Sequence, residues 1–88
     1  MSTVVFEDGE FSVDAAEIAA GLRIHPTQVL TGMRQRRITS ICERGVDEDA
    51  GRYRLTFFYA RRRFRLVVDE AGTIIDRAVE VHRRKRRG

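Results

Sequence analysis

Residues 14–38, DAAEIAAGLRIHPTQVLTGMRQRRI, carry the signals that decide the fold, because they predict two short helices separated by a turn. Asp14 can accept hydrogen bonds from the first backbone N–H groups of a helix that starts at Ala15. A second helix is expected to begin at Pro26, since proline favours the first helical position, and to run to about Gln35. Apolar residues follow helical spacing on both sides of the turn, so each helix has one face to bury.

The chain after this segment changes to the alternating pattern of β-strands. Four strands are predicted, at residues 38–46, 52–60, 62–69 and 73–81. A turn at Ala60-Arg61 would place Phe57 opposite Phe64, so that large apolar side chains share one face of a sheet. The same register pairs Leu55 with Leu66 and Tyr53 with Val68. With Ala71-Gly72 as the last turn, the expected pairs of the next two strands are Phe64 with Val79, Arg63 with Glu80 and Val68 with Ile75. We therefore predict an α+β fold in which two short N-terminal helices, arranged as a helix-turn-helix, pack on a four-stranded antiparallel β-meander.

Length and composition place the chain among single-domain globular proteins. With 88 residues, of which 42% are hydrophobic and 34% charged, it can build one modest core. We assign residues 1–82 to a single α+β domain. The basic run RRKRRG at residues 83–88 is expected to be a disordered tail.

Charge is separated along the chain. Residues 1–22 contain five acids and no base, whereas residues 23–88 contain all 17 bases and the other eight acids. Such a basic portion favours binding to phosphate, because each neutralised phosphate releases counterions. The alternative is codon bias, since nearly all of these bases are arginine, as a GC-rich bacterial genome would produce without any functional cause.

Two groups of side chains are candidates for contact with nucleic acid. If the second helix entered a major groove, its outward side chains would face base edges, where glutamine and arginine can form paired hydrogen bonds. The candidates for base contacts are Thr27, Gln28, Thr31 and Arg34. The candidates for phosphate contacts are Arg36, Arg37, Arg52, Arg54, Arg63 and Arg65. The alternative for the helix is that its polar residues only solvate its outer face.

The predicted register also places Phe58 among arginines on the sheet face that points away from the core. An aromatic ring beside cations is typical of single-stranded nucleic-acid binding, because bases stack on the ring while arginines hold the backbone. The alternative is that the arginines solvate the face or form cross-strand ion pairs, such as Arg63 with Glu80.

Two resemblances add to this interpretation. The segment at residues 11–57, FSVDAAEIAAGLRIHPTQVLTGMRQRRITSICERGVDEDAGRYRLTF, resembles the helix-turn-helix and hairpin of the MerR and excisionase-like winged-helix group. That resemblance implies DNA binding, with residues 38–59 as the wing and Arg52 and Arg54 near the duplex backbone. Arg23 stands where the pattern of that group prefers glycine in the turn.

The whole chain is also similar to a set of small uncharacterised bacterial proteins that are grouped as a domain of unknown function. The run ERGVDEDAGRYRLTFFY at residues 43–59 is its most distinctive part. This resemblance implies no particular activity.

Catalysis, cofactors and metals are not expected. His25 lies at a helix cap and His82 directly before the tail, and no Ser/His/acid or Cys/His arrangement follows from their spacing. The acidic run at residues 47–49 lacks the ligand spacing of a calcium loop. We therefore predict that the protein is not an enzyme, needs no cofactor or metal and takes no small-molecule substrate.

The compartment is expected to be the cytoplasm. No apolar run approaches the roughly 20 residues that a membrane span needs, and the N-terminus lacks the basic and apolar regions of a signal peptide. Cys42 stands alone, which suits a reducing compartment, and cysteine is most often a small core residue. No association with membranes is predicted.

Binding to nucleic acid is thus the function that the sequence favours. The alternative is a domain that binds a protein partner, or itself as a weak homodimer, through a sheet edge or the second helix. The two interpretations differ in their dependence on salt, because phosphate binding weakens steeply as ionic strength rises and an apolar interface does not.

Overall fold

The computed structural model describes residues 4–7 and 10–81. The elements in chain order are β1 (Val4–Glu7), β2 (Glu10–Val13), α1 (Ala15–Leu22), α2 (Pro26–Arg34), β3 (Ile38–Arg44), a 3-10 turn (Asp47–Asp49), β4 (Arg52–Tyr59), β5 (Arg62–Asp69) and β6 (Ile74–Val81). Among these described residues, neither helix has the length and apolar character needed to cross a membrane.

The predicted fold class is wrong, because the described chain forms two distinct sheets and does not begin with helices. Strands β1 and β2 pair antiparallel in a two-stranded sheet of their own, with Val4 opposite Val13. The sequence offers a signal for this hairpin. Asp8-Gly9 is a dipeptide typical of two-residue hairpin turns, although residues 8 and 9 lie outside the described residues.

The second sheet contains β3, β4, β5 and β6 in that order, and every neighbouring pair is antiparallel. The predicted pairs Phe57–Phe64, Leu55–Leu66, Tyr53–Val68, Phe64–Val79 and Arg63–Glu80 are confirmed. One predicted pair is wrong: Val68 lies opposite Ile74 instead of Ile75, because the register shifts between Val67 and Val68. The bulge takes up the extra residue that the sequence alone does not reveal.

Both helices begin where the sequence predicts. The Asp14 side chain accepts a hydrogen bond of 2.9 Å from the backbone nitrogen of Ala16. At the start of α2, the His25 side chain accepts from Thr27, and the Gln28 side-chain oxygen accepts from the His25 backbone nitrogen at 2.8 Å. This reciprocal cap satisfies backbone donors that the first turn of a helix leaves without partners.

One apolar core joins the hairpin, the helices and the inner face of the four-stranded sheet. The buried residues are Val4, Ile18, Ala19, Leu22, Val29, Ile38, Leu55, Phe57, Phe64, Leu66 and Val68. Aromatic rings attach the hairpin to the sheet: the Phe11 ring centre lies 4.5 Å from that of Phe6 and 4.9 Å from that of Tyr53.

Helix α1 approaches β5 closely because Gly21 has no side chain. A methyl group at this position would collide with the ring of Phe64, which is itself buried. Two polar contacts fix the helix beside this point. Arg62 donates to the carbonyl oxygen of Leu22 at 2.9 Å, and the carboxylate of Glu17, whose side chain is 10% exposed, lies 3.1 Å from a guanidinium nitrogen of Arg77.

We expect Gly21→Ala to lower the free energy of unfolding by about 1–3 kcal/mol, the usual cost of overpacking, although alanine favours a helix by roughly 1 kcal/mol. Gly32→Ala in α2 is the matched control. Its new methyl group would meet Cδ1 and Cγ1 of the buried Ile38, but less closely than a methyl group at Gly21 would meet the ring of Phe64, so a smaller loss of stability is expected. Urea unfolding of the three proteins measures both effects. Equal stabilities for the two variants would contradict this account of α1 packing.

The turn between the helices depends on Arg23, which has left-handed backbone angles of φ 60° and ψ 47°. The Ile24 N–H donates to the Ala19 carbonyl oxygen at 3.0 Å, which closes the end of α1. A side chain makes this conformation costly, and glycine is the usual residue here. The turn therefore forms despite the departure from the glycine pattern.

We expect Arg23→Gly to raise the free energy of unfolding by about 0.5–1 kcal/mol, because it removes the strain of the left-handed conformation. Arg23→Ala is the control, since it removes the same charge and keeps the strain. Thermal unfolding by circular dichroism compares the two. A gain in stability for both variants would show that the charge, and not the backbone conformation, is responsible.

Candidate nucleic-acid interface

The predicted base-contact residues lie on the exposed surface of α2. Thr27, Thr31 and Arg34 follow helical spacing and share one face, and Gln28 lies beside them. Several of their polar atoms already have local partners. The Thr27 hydroxyl is 2.9 Å from Nδ1 of His25, and the Thr31 hydroxyl donates to the Thr27 carbonyl oxygen at 3.5 Å. These residues thus stabilise the first turns of α2 as well as covering its outer face.

The predicted phosphate contacts of the sheet lie together on its outer face, the face opposite the core. Arg52 and Arg54 of β4 alternate with residues that face the core, as do Arg63 and Arg65 of β5. The same face, however, also carries the carboxylates Glu43, Asp69, Asp76 and Glu80. Four arginines and four acids give this outer face a formal charge of zero, which removes the electrostatic reason for binding phosphate there.

Ion pairs account for part of this balance. The Arg54 Nε lies 2.8 Å from Glu43 Oε1, and the Arg63 guanidinium lies 3.6 Å from Glu80 Oε1. The hydrogen bond from Arg54 lowers the pKa of the Glu43 carboxyl and raises the pKa of the Arg54 guanidinium, so both groups stay charged. Since both side chains are exposed, the pair adds little stability.

The aromatic ring on the outer face is partly covered. The Arg63 guanidinium carbon lies 5.6 Å from the centre of the half-buried Phe58 ring, a cation–π contact. A base that stacked on Phe58 would have to displace Arg63. This contact and the balanced charge both disfavour the outer face as a site for single-stranded nucleic acid.

Arginine concentrates instead at one end of the four-stranded sheet. The meander brings together the start of β3, the β4–β5 turn and the end of β6, because Ile38 pairs with Tyr59, Tyr59 with Arg62, and Arg62 with Val81. The end of α1 joins them through the bond from Arg62 to Leu22. The arginines of this basic end are Arg23, Arg36, Arg37, Arg61, Arg62 and Arg63. Among the described residues of these segments, Glu80 is the one acid.

The opposite end of the sheet is acidic. It contains the turn that follows β3 and the turn between β5 and β6. Its carboxylates are Asp47, Glu48, Asp49, Asp69, Glu70 and Asp76, and its arginines within the described residues are Arg44 and Arg52. The four-stranded sheet therefore has oppositely charged ends.

The prediction of phosphate contacts divides along these lines. The structure places Arg36, Arg37 and Arg63 at the basic end, where Arg63 also belongs to the balanced outer face. Arg52, Arg54 and Arg65 lie on that outer face, away from the basic end. Sequence reasoning did not include Arg23, Arg61 and Arg62. The predicted turn at Ala60-Arg61 was a signal that Arg61 and Arg62 lie at the same end of the sheet as Arg36 and Arg37, because the turn fixes which residues share an end.

Cys42 is exposed on β3, which contradicts the expectation of a core position. Partial burial of the sulfur, together with the neighbouring carboxylate of Glu43, raises the pKa of the thiol. Both causes disfavour the thiolate, so the side chain is a weak nucleophile at neutral pH in spite of its exposure.

We expect the alkylation of Cys42 by iodoacetamide to reach half its maximal rate at a higher pH in the folded protein than in urea. Glu43→Gln should bring the midpoint of the folded protein partly back towards the unfolded value, because it removes the smaller of the two causes. Mass spectrometry of quenched samples follows the reaction. A midpoint that is equal in the folded and unfolded protein would refute the raised pKa.

Within residues 4–7 and 10–81, no group of three or more His, Cys, Asp and Glu side chains is arranged to hold a metal ion.

Comparison with curated proteins and with solved structures gives no match. A family model, in contrast, matches residues 1–87, almost the full length of the chain. Its description is that of a family of unknown function, DUF6522, and the chain belongs to this family.

Proposed function

We propose that this protein binds nucleic acid and that the basic end of the four-stranded sheet contacts the phosphates. The observation that supports the proposal most is the concentration of arginine there, with a single acid among the described residues of the same segments. A polyanion attracts such a surface strongly, because several counterions are released when several phosphates are neutralised.

Three of these arginines are well placed for contact. Arg36, Arg37 and Arg61 are exposed, and none of them belongs to an ion pair among the described contacts. Exposed guanidinium groups can form paired hydrogen bonds with phosphate oxygens. Val81 also lies at this end of the sheet. The basic sequence HRRKRRG at residues 82–88, including the tail predicted to be disordered, lies outside the described residues.

Duplex DNA is the form of nucleic acid that we propose. Helices α1 and α2 pack together and are joined by the turn at Arg23, the arrangement of a helix-turn-helix. Arginines flank α2 on both sides, which would let phosphate contacts orient its exposed Thr27, Gln28, Thr31 and Arg34 towards base edges.

The resemblance to the MerR and excisionase-like group supports this part of the proposal through the two helices, and not through the wing. The proposed wing, β3 and β4, lies within a four-stranded sheet in which β4 pairs on both sides. Arg52 and Arg54 of β4 face carboxylates, so we propose that the basic end takes the place of wing contacts. His25 fits a binding role without catalysis, because its side chain takes part in the cap of α2.

The proposal predicts that Arg23→Gln with Arg61→Gln weakens binding to duplex DNA, whereas Arg52→Gln with Arg54→Gln has little effect. Both double variants lose two positive charges, so the comparison tests position and not net charge. If both arginines of the first variant contact phosphate, the slope of log affinity against log salt should become less steep by about 2. Fluorescence anisotropy with labelled duplex DNA, at several salt concentrations, measures this.

Two results would contradict the proposal. Equal losses for both double variants would show that only net charge matters, and absence of binding by the wild-type protein at low salt would remove the nucleic-acid function. Labelled single-stranded DNA and RNA serve as comparison ligands. Tighter binding of either to the wild-type protein would contradict the preference for duplex DNA.

A further inference from the structure

Strand β3 is an edge of the four-stranded sheet, and its outer side has no partner among the described residues. Every β3 residue after Ile38 is exposed. The Gly45 N–H donates to the Arg52 carbonyl oxygen at 2.8 Å. Because alternate residues of a strand direct their N–H and C=O groups to opposite sides, this bond shows which β3 residues face β4 and which face away from it. The N–H and C=O groups of Ser40 and Cys42 therefore point outwards, ready to pair with another strand.

The two edges of the sheet differ in how they discourage such pairing. At the β6 edge, the register of pairing with β5 is shifted by a bulge, and β6 carries Asp76, Arg77 and Glu80 along its length. Bulges and charges protect edge strands from association. The central residues of β3, Thr39 to Cys42, are uncharged, and their pairing with β4 is regular. β3 is thus the less protected edge.

Apolar side chains are exposed on both sides of β3. Ile41 is 50% exposed on the outer face of the sheet. Leu30 of α2 is 64% exposed and lines a groove of about 730 Å³, which also reaches Ser40 and Cys42. Large exposed apolar side chains beside an open strand are a feature of surfaces that bind other proteins.

We propose that the occupant of this edge is a second copy of the chain, paired antiparallel through β3 about a two-fold axis at Ile41. In this register Ser40 lies opposite the second copy's Cys42, and their outward backbone groups form hydrogen-bonded pairs. Ile41 lies opposite the second copy's Ile41, so the exposed apolar side chains cover each other. The two sheets become one continuous sheet, with α2 of each copy on the same side of it.

Charge complementarity selects this partner. Because the two copies run antiparallel, the basic end of each lies beside the acidic end of the other. The outermost opposed residues of the two strands are Ile38 and the second copy's Arg44. Arg36 and Arg37 directly precede Ile38, and the turn with the carboxylates at residues 47–49 follows the second copy's Arg44 after two residues. The two-fold axis repeats this arrangement of opposite charges on the other side of the dimer.

Analytical ultracentrifugation of the full chain, without nucleic acid, tests the proposal. We expect a monomer–dimer equilibrium in the wild-type protein at low salt. Ile41→Asp should raise the dissociation constant by about tenfold or more, since it places two carboxylates face to face on the axis. Ile75→Asp, at a site of 45% exposure on β6, is the matched control and should leave the dimer intact. Circular dichroism checks that both variants fold.

A charge exchange tests the complementary ends. Arg36→Glu with Arg37→Glu, and separately Asp47→Arg with Glu48→Arg, should each weaken the dimer, whereas the variant with all four changes should restore it. A variant with all four changes that stays as weak as the two doubles would overturn the proposed pairing of ends.

Crosslinking tests the register. Opposite residues in an antiparallel pair lie within disulfide range. The variant Ile41→Cys with Cys42→Ser should therefore form a crosslinked dimer on oxidation, and the wild-type protein should not. Crosslinking of the wild-type protein alone would overturn the axis at Ile41. A wild-type protein that stays monomeric at millimolar concentration and low salt would overturn the dimer itself. The DNA-binding proposal is tested separately, because its double variant changes Arg23 and Arg61, which lie outside this interface.

Discussion

The contact between Gly21 and the ring of Phe64 determines how close α1 comes to the four-stranded sheet. Because this helix lies directly on the sheet, Arg62 can reach the Leu22 carbonyl oxygen and Glu17 can reach Arg77. The helix in turn carries Ile18, Ala19 and Leu22 into the core, and its end sets where α2 begins. A wider separation would loosen each of these contacts, so one missing side chain determines the position of the whole helical pair.

Local signals were sufficient to predict most of the elements. Caps at Asp14 and His25 locate both helices, since they depend on residues close in sequence. Alternation and one turn position predict the register between β4 and β5. The hairpin of β1 and β2 was missed because four-residue strands carry little periodicity, and the bulge at Val67 and Val68 was missed because it arises from packing across strands.

The candidate site was harder to predict than the fold, because it depends on which residues meet in space. The arginines of β4 and β5 alternate correctly, yet the same register brings Glu43 and Asp69 among them. Arg23 is isolated in the sequence and Arg61 begins the run Arg61-Arg62-Arg63, and both join Arg36 and Arg37 only through the fold. A count of charges along the chain cannot distinguish a balanced face from a basic end. The two proposed surfaces also share Arg36 and Arg37, so a second copy of the chain and a nucleic acid would compete for these side chains.

The separation of the basic and acidic ends has a consequence for motion before contact. Opposite charges at the two ends of one sheet form an electric dipole that runs along the strands. A molecule with such a dipole experiences a torque as it approaches a charged polymer. It therefore begins to turn before contact, once its distance from the polymer is a few Debye lengths. Its orientation on arrival is then set by the field, and the fraction of collisions that present the correct surface exceeds the fraction expected from random rotation.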